Sequence, residues 1–193
     1  RVQAATLIAA ASNLRFELSR ADMVLCASQR QRDLWIGGLL AAGRLTADLY
    51  ADDPNLKSLC RVVPFGVAEG QPVEGSPALR GVLPGIGPTD PLFIWAGGLH
   101  DWFDPEMAVA AMETLIGVLP TARLVFMAGR PPHDRLQVHQ AAARTRALAE
   151  MKGMLNSTVF FLTDWVPYSD RGRYLAEATV GISAHRETLE TRY

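Results

Sequence analysis

Short apolar runs alternate with segments of helical periodicity in the second half of the chain. The runs predict buried strands at 92–96, 122–128, 158–162 and 180–183, and the segments between them predict helices at 105–119, 134–152 and 169–178. Strands that alternate with helices of this length pair in parallel through right-handed crossovers. Because the strand runs are almost wholly apolar, the sheet is expected to be covered on both faces. The pattern predicts an α/β fold with a doubly wound parallel sheet.

The first 67 residues contain a similar but shorter pattern. Helices are predicted at 2–18 and 29–40, the second with Ser28 as its N-cap. Strands are predicted at 23–27 and 59–63, and 44–50 is expected to add one or two helical turns. Apolar side chains recur at helical spacing in the first helix, at Leu7, Ala11, Leu14 and Leu18.

Residues 68–91 differ in composition from both flanks. Prolines and glycines are interspersed there at intervals of a few residues, which predicts a linker without regular structure. We therefore predict three segments: 1–67 as the C-terminal part of a first domain, 68–91 as the linker, and 92–193 as the first half of a second domain. The chain begins at Arg1 and ends after a charged run, so we expect it to be a fragment of a longer protein.

Composition and charge narrow the class of partners. Hydrophobic residues make up 49% and charged residues 20%, as in ordinary globular domains, and the net charge is −1. This charge supplies no basic field for nucleic acid, which we do not expect as a partner. Cys26 and Cys60 lie in apolar runs and are expected to be buried, unpaired and in a reducing, cytoplasmic compartment. No apolar run is long enough to predict a transmembrane segment.

Ligands of open parallel sheets bind beyond the carboxyl ends of the strands, so four loops are candidates. In the first loop, Gly97 and Gly98 allow backbone to approach a ligand, and the following helix start suits a phosphate. His100 is the one potential cation between Gly97 and Glu106, and acidic residues crowd the helix start at Asp101, Asp104 and Glu106. A strand–glycine–helix turn that binds nothing explains the first loop equally well.

The second loop, after the run at 122–128, contributes Arg130. The third loop contains Asp164, Trp165 and Val166, which could frame a nucleobase or form a lid on the core. Ionisable groups then cluster after the last strand, where a ligand site and a solvated helix start are the alternatives: His185, Arg186, Glu187, Glu190 and Arg192. We find no motif for a metal site and expect neither a metal nor an organic cofactor.

Four stretches taken in order resemble bacterial glycosyltransferases of group 1, family 4, which have the GT-B fold. The first two are 21–35 and 62–67, which are similar to the end of the family's acceptor domain and the strand leading into its linker. The third is 94–105, which resembles the opening loop of the donor domain. The fourth is 164–168 with 184–185 and 189–193, which resembles the base-side loop and the start of the family's acidic motif.

The resemblance implies two Rossmann-like domains and a retaining transfer of a sugar, of the hexosyltransferase type. The donor would be a nucleotide-diphosphate sugar, and the acceptor a hydroxyl on a glycan or a lipid-linked glycan, in surface polysaccharide synthesis. It further implies a cytoplasmic location, with the inner membrane face as an alternative. Gly97 and Gly98 would face the diphosphate, residues 164–166 would frame the base, and Glu190 would belong to the acidic motif that contacts the donor.

This chain also departs from the family pattern. The Arg and Lys that usually bind the diphosphate do not follow Gly98, and Arg130 or Arg192 would have to replace them. The second acidic residue of the motif would lie past Tyr193, so we expect this fragment to be inactive alone. Two alternatives follow: a non-catalytic nucleotide-binding, sugar-binding or scaffold module of GT-B fold, and a sugar-nucleotide epimerase.

Overall fold

A computed structural model describes residues 2–66, 69, 75–129, 140–188 and 190–192, with the side chains of 2–4 and 190 left out. The chain separates into two compact units. The first comprises Arg1–Glu69 together with Thr188–Tyr193, and the second comprises Gly70–Glu187. Both contain parallel strands and helices, so the chain is an α/β protein, consistent with a Rossmann-like arrangement.

The first unit is built on two parallel strands, β1 (Val24–Cys26) and β2 (Cys60–Val62). Three helices accompany them: α1 (Val2–Arg20), α2 (Gln29–Ala41) and α3 (Ala47–Asp52). The Ser28 side chain accepts a hydrogen bond from the amide of Gln31, which confirms the predicted N-cap of α2. Thr46 caps α3 in the same way, through the amide of Leu49.

The core of the first unit is small. Its buried members are Leu18, Cys26, Leu39, Leu59 and Cys60, and both cysteines are free thiols, as predicted. The predicted apolar face of α1 is buried only at its end: Leu18 is 7% exposed, whereas Leu7 is 71% and Leu14 45% exposed. Helical spacing shows that these residues share a face, but burial also requires a partner, and only the last turn of α1 packs in this core.

The second unit contains a four-stranded parallel sheet in the order β5-β4-β3-β6. Its strands are β3 (Leu92–Trp95), β4 (Arg123–Phe126), β5 (Val159–Phe161) and β6 (Val180–Gly181). The helices are α4 (Pro105–Leu115), α5 (Gln140–Met151) and the short α6 (Arg171–Ala176), which follows a 3₁₀ turn, Tyr168–Asp170. Each strand lies within its predicted run. Another 3₁₀ turn, Glu190–Arg192, ends the chain.

Both faces of this sheet are covered. Trp95, Leu124 and Phe126 point to the face on which Val109 and Met112 of α4 pack. The alternate strand residues point to the other face, where they join residues from outside the sheet: Leu92, Ile94, Val125 and Phe160 with Leu79, Ile86 and Val166. Because successive side chains of a strand point to opposite faces, each strand contributes to both cores. This explains why the strand sequences are apolar without a break.

Part of the predicted linker forms one of these two layers. Residues 75–91 belong to the second unit, where Leu79 is 0% and Ile86 4% exposed. The carboxylate of Glu177 accepts hydrogen bonds from the backbone amides of Ala78, Leu79 and Arg80 at 2.5 to 3.3 Å. A segment rich in proline and glycine is irregular but still packs tightly when its few apolar side chains reach a sheet.

A second polar contact fixes the end of the same segment. The Asp90 carboxylate accepts a hydrogen bond from the backbone amide of Gly87 at 2.8 Å. It also lies 3.4 Å from the guanidinium of Arg123 at the start of β4. Arg123 also donates to the carbonyl of Gly85 at 3.1 Å. The irregular segment is thereby held to the strand edge directly before β3 begins.

None of the helices in the described ranges combines the length and apolar character needed to cross a bilayer.

Candidate functional site

The strand order creates a switch point at the carboxyl ends of β3 and β6. The chain runs from β3 to β4 and β5 on one side and then returns to place β6 on the opposite side of β3. Open α/β sheets bind ligands at such a point, outside the carboxyl ends of the two neighbouring strands. The loops here are 96–104 after β3 and 182–187 after β6, and both contain predicted site residues.

Aromatic side chains join these two loops. The Phe103 ring lies 4.7 Å from that of His185 in an edge-on arrangement and 5.7 Å from that of His100. His100 stacks on Trp102 at 4.5 Å with nearly parallel planes. Phe103 also forms a backbone bridge with His185, and the amide of Asp104 donates to the carbonyl of Ala184 at 2.9 Å. Both predicted histidines therefore lie next to Phe103.

Both glycines of the first loop are exposed. A Cβ atom on Gly97 would lie in open space apart from the Trp95 Nε1 atom at 3.8 Å. A Cβ on Gly98 would come within 2.8 Å of His100 Nε2, and the Gly98 carbonyl accepts from Trp95 Nε1 at 3.4 Å. Gly98 is thus required for local packing, whereas Gly97 leaves its backbone open to a ligand.

Two of the acidic groups at the start of α4 are capping residues. Asp104 is the N-cap, accepting a hydrogen bond from the amide of Met107 at 3.2 Å, and Pro105 lies in the first turn. Asp101 accepts the amide of Ala141 at 2.9 Å, which caps the start of α5 instead. Both carboxylates satisfy backbone donors that helix starts leave open.

The third acidic group, Glu106, holds two arginines. Arg144 of α5 donates to one of its oxygens at 2.8 Å, and Arg186 of the loop after β6 donates to the other at 2.9 Å. Arg144 also lies 3.6 Å from Asp101. The hydrogen bond that Arg144 donates to Glu106, followed by the charges of Glu106 and Asp101, raises the pKa of Arg144. The cluster is close to neutral, so the predicted acidic crowding at the helix start is largely compensated.

The sequence identified one of these two arginines. Arg186 belongs to the predicted cluster after the last strand, although it was not among the residues assigned to the nucleotide sugar. Arg144 lies on a polar-faced helix beside another arginine, Arg146, and no local signal separates the two. Only the packing of α5 against α4 selects Arg144 as the partner of Glu106.

The loops after β4 and β5 meet at the same edge of the sheet. Gly129 is buried against the backbone of Asp164 and Trp165, because a Cβ there would lie 1.8 Å from the Asp164 carbonyl oxygen. Val166 is 8% exposed and packs in the core, as the lid interpretation predicts. The Trp165 ring remains 46% exposed, with the Arg171 guanidinium 5.5 Å from its centre.

The remaining predicted residues lie outside this group or outside the described residues. Arg130 is not described. Glu187 is exposed at the end of the second unit, and Glu190 and Arg192 fall in the short segment that groups with the first unit. The structure thus brings Gly97, Gly98, His100 and His185 to the switch point and Asp164, Trp165 and Val166 to the neighbouring loops.

The described ranges contain no group of three or more His, Cys, Asp or Glu side chains that could hold a metal ion. No family model and no curated protein sequence matches the chain.

Proposed function

We propose that this chain is part of a retaining GT-B glycosyltransferase and that its second unit binds the nucleotide-diphosphate sugar. The observation that supports the proposal is the switch point, where the loops after β3 and β6 meet through Phe103 and His185 at the carboxyl edge of a parallel sheet. Gly97 is exposed in the first of these loops. Open α/β sheets bind nucleotides at this position. The proposal also rests on the family resemblance of the sequence.

In this proposal the edge of the sheet divides into a phosphate side and a base side. Gly97 would present backbone to the diphosphate, and His100 and His185 would add hydrogen-bonding side chains. The exposed ring of Trp165 would offer a stacking surface to the base, with Asp164 beside it. The cationic groups needed to stabilise the leaving diphosphate would come in part from Arg186.

A thermal-shift panel with UDP, GDP, ADP, dTDP and CDP tests the donor site. A ligand at about 100 times its Kd stabilises by about 2.7 kcal/mol, which is roughly 5–10 °C for a protein of this size. We expect one base to give this shift in the wild type. Gly97→Ala is expected to leave the ligand-free Tm unchanged, because its Cβ meets open space, and to lose most of the nucleotide shift.

Gly181→Ala is the matched control. It lies in β6 of the same sheet, its Cβ would meet nothing within 4 Å, and it is expected to change neither Tm nor binding. An absence of shift with every nucleotide, or an equal loss in both glycine variants, would argue against the donor site.

One observation favours a non-catalytic binding module instead. Among the described residues near the start of α4, Arg144 and Arg186 are both ion-paired with Glu106, so their charge is already compensated. If the site binds a nucleotide-sugar donor, the nucleoside diphosphate should bind at least about tenfold more tightly than the nucleoside with the same base. Equal affinities for the two would favour the binding module.

A further inference from the structure

An open cavity of ≈ 700 Å³ lies in the first unit, remote in sequence from the loops of the candidate donor site. Three elements line it: the start of α2, the turn after α3, and β2. The lining side chains are cationic, amide or apolar: Gln29, Arg32, Asn55, Lys57, Cys60, Arg61 and Val62. No carboxylate is among these lining residues.

The cations are held in place by bonds to backbone. Arg32 donates to the carbonyls of Cys60, at 3.0 Å, and Asn55. Arg61 donates through Nε to the carbonyl of Lys57 at 2.8 Å. These bonds use only part of each guanidinium, which carries five N–H donors. Because a carbonyl is neutral, the positive charges of both arginines remain uncompensated.

In the described part of the chain, none of the three cations forms an ion pair. The two closest acidic residues in sequence have other partners. Asp33 accepts from the amide group of Gln29 at 2.9 Å. The Asp53 carboxylate accepts hydrogen bonds from the backbone amide of Ser58 at 2.7 Å and from its hydroxyl at 2.9 Å. The hydrogen bond from the backbone amide lowers the pKa of Asp53. Neither carboxylate lines the cavity.

The turn that carries Asn55 and Lys57 is built around a strained residue. Leu56 adopts φ 52°, a left-handed conformation that branched side chains rarely occupy, and its side chain is 6% exposed. Burial of Leu56 between them leaves the side chains of Asn55 and Lys57 on the solvent side, where both line the cavity. Such strain persists only where the surrounding structure holds it.

We propose that this cavity binds a small molecule that carries a phosphate or diphosphate group. Three cations without carboxylates match an anion with several oxygens, and guanidinium groups bind phosphate with paired N–H donors. The volume lies within the range of small-molecule sites and exceeds what one phosphate needs. The amides of Gln29 and Asn55 are suited to hydroxyl groups of the remainder. This site does not rest on the proposed transferase activity, since its residues belong to the other unit.

The test is calorimetric titration of the chain with inorganic pyrophosphate at low ionic strength. Lys57→Gln with Arg61→Gln removes two exposed charges and is expected to weaken binding about tenfold, with an unchanged Tm. Arg30→Gln is the matched control, because Arg30 is an exposed arginine of α2 that does not line the cavity. The single variant Arg61→Lys keeps the charge but loses the paired guanidinium donors, so we expect its affinity to lie between those of the wild type and the double variant.

Three results would overturn the proposal. The first is the absence of pyrophosphate binding by the wild type. The second is an equal loss of affinity in Arg30→Gln, which would indicate a general effect of net charge. The third is binding to phosphatidylglycerol vesicles but not to pyrophosphate, which would assign these cations to a membrane surface. Because a diphosphate could bind at either site, pyrophosphate and the nucleotide panel are both tested on Gly97→Ala and on the Lys57→Gln, Arg61→Gln variant. Pyrophosphate binding lost only in Gly97→Ala would also overturn this site, and a nucleotide shift lost only in the double variant would overturn the donor site, so the two proposals fail independently.

Discussion

Replacing Gly129 with alanine would force apart the loops that follow β4 and β5. The new Cβ would lie 1.8 Å from the carbonyl oxygen of Asp164, 2.3 Å from its carbonyl carbon and 2.8 Å from the amide nitrogen of Trp165. Ordinary contacts of a Cβ begin near 3.4 Å, so backbone would have to move by about 1.5 Å. A flexible side chain could turn away, but these are main-chain atoms.

The displaced backbone is anchored by its neighbour. Val166, directly after Trp165, is 8% exposed and packs with Ile94, Val125 and Phe160. Moving the loop therefore also disturbs this core. Overpacking usually costs about 1–3 kcal/mol, and we expect the upper end, about 3 kcal/mol, since no atom at the contact can rotate aside. This corresponds to a fall in Tm of roughly 10 °C.

Thermal and urea unfolding, monitored by circular dichroism, measure the effect. Gly181→Ala is the control, since it adds the same methyl group to the same unit without a neighbour within 4 Å. We expect the midpoint of Gly129→Ala to fall and that of Gly181→Ala to stay within about 1 °C. Equal midpoints for the two variants would refute the close approach of the two loops.

Two further predictions concern other contacts. Glu177→Ala leaves the amides of Ala78, Leu79 and Arg80 without their carboxylate and should lower the free energy of unfolding by about 2–3 kcal/mol; urea unfolding that matches the wild type would contradict it. Burial, followed by the adjacent Cys26, raises the pKa of the Cys60 thiol from 9.0 to about 11. Between these two values the thiol keeps its proton in the folded state and loses it in the unfolded state. The contribution of the buried thiol to the free energy of unfolding is therefore full below pH 9 and is lost as the pH rises to about 11, by at most about 3 kcal/mol. Urea unfolding of wild type and Cys60→Ala across that range measures it, and parallel pH profiles would exclude the assignment.

Local signals predicted the elements well. Ser28 and Asp104 are N-caps, Pro105 is in the first turn of α4, and the apolar runs contain the strands. These features depend on groups within a few residues of each other, which a sequence displays directly. The burial of both cysteines follows from their apolar neighbours in the same way.

Contacts between distant residues could not be predicted from such signals. The apolar periodicity of α1 is real, but only Leu18 of its predicted face is buried in the core. The proline- and glycine-rich segment was expected to be a linker, whereas residues 75–91 cover one face of the second sheet. Leu79 and Ile86 are isolated apolar residues in the sequence, and they become core residues only because they pack on a sheet face that would otherwise be exposed.

The candidate site shows the same division. The sequence by itself determined which loops follow strands and which glycines and ionisable residues these loops contain, because strand ends, glycines and charges are local properties. Tertiary structure alone decided that β6 lies beside β3, so that His185 meets Phe103, and that Glu106 binds Arg144 and Arg186. Strand order and helix packing depend on the total burial of apolar surface over the whole unit, and no single segment of the chain records that sum.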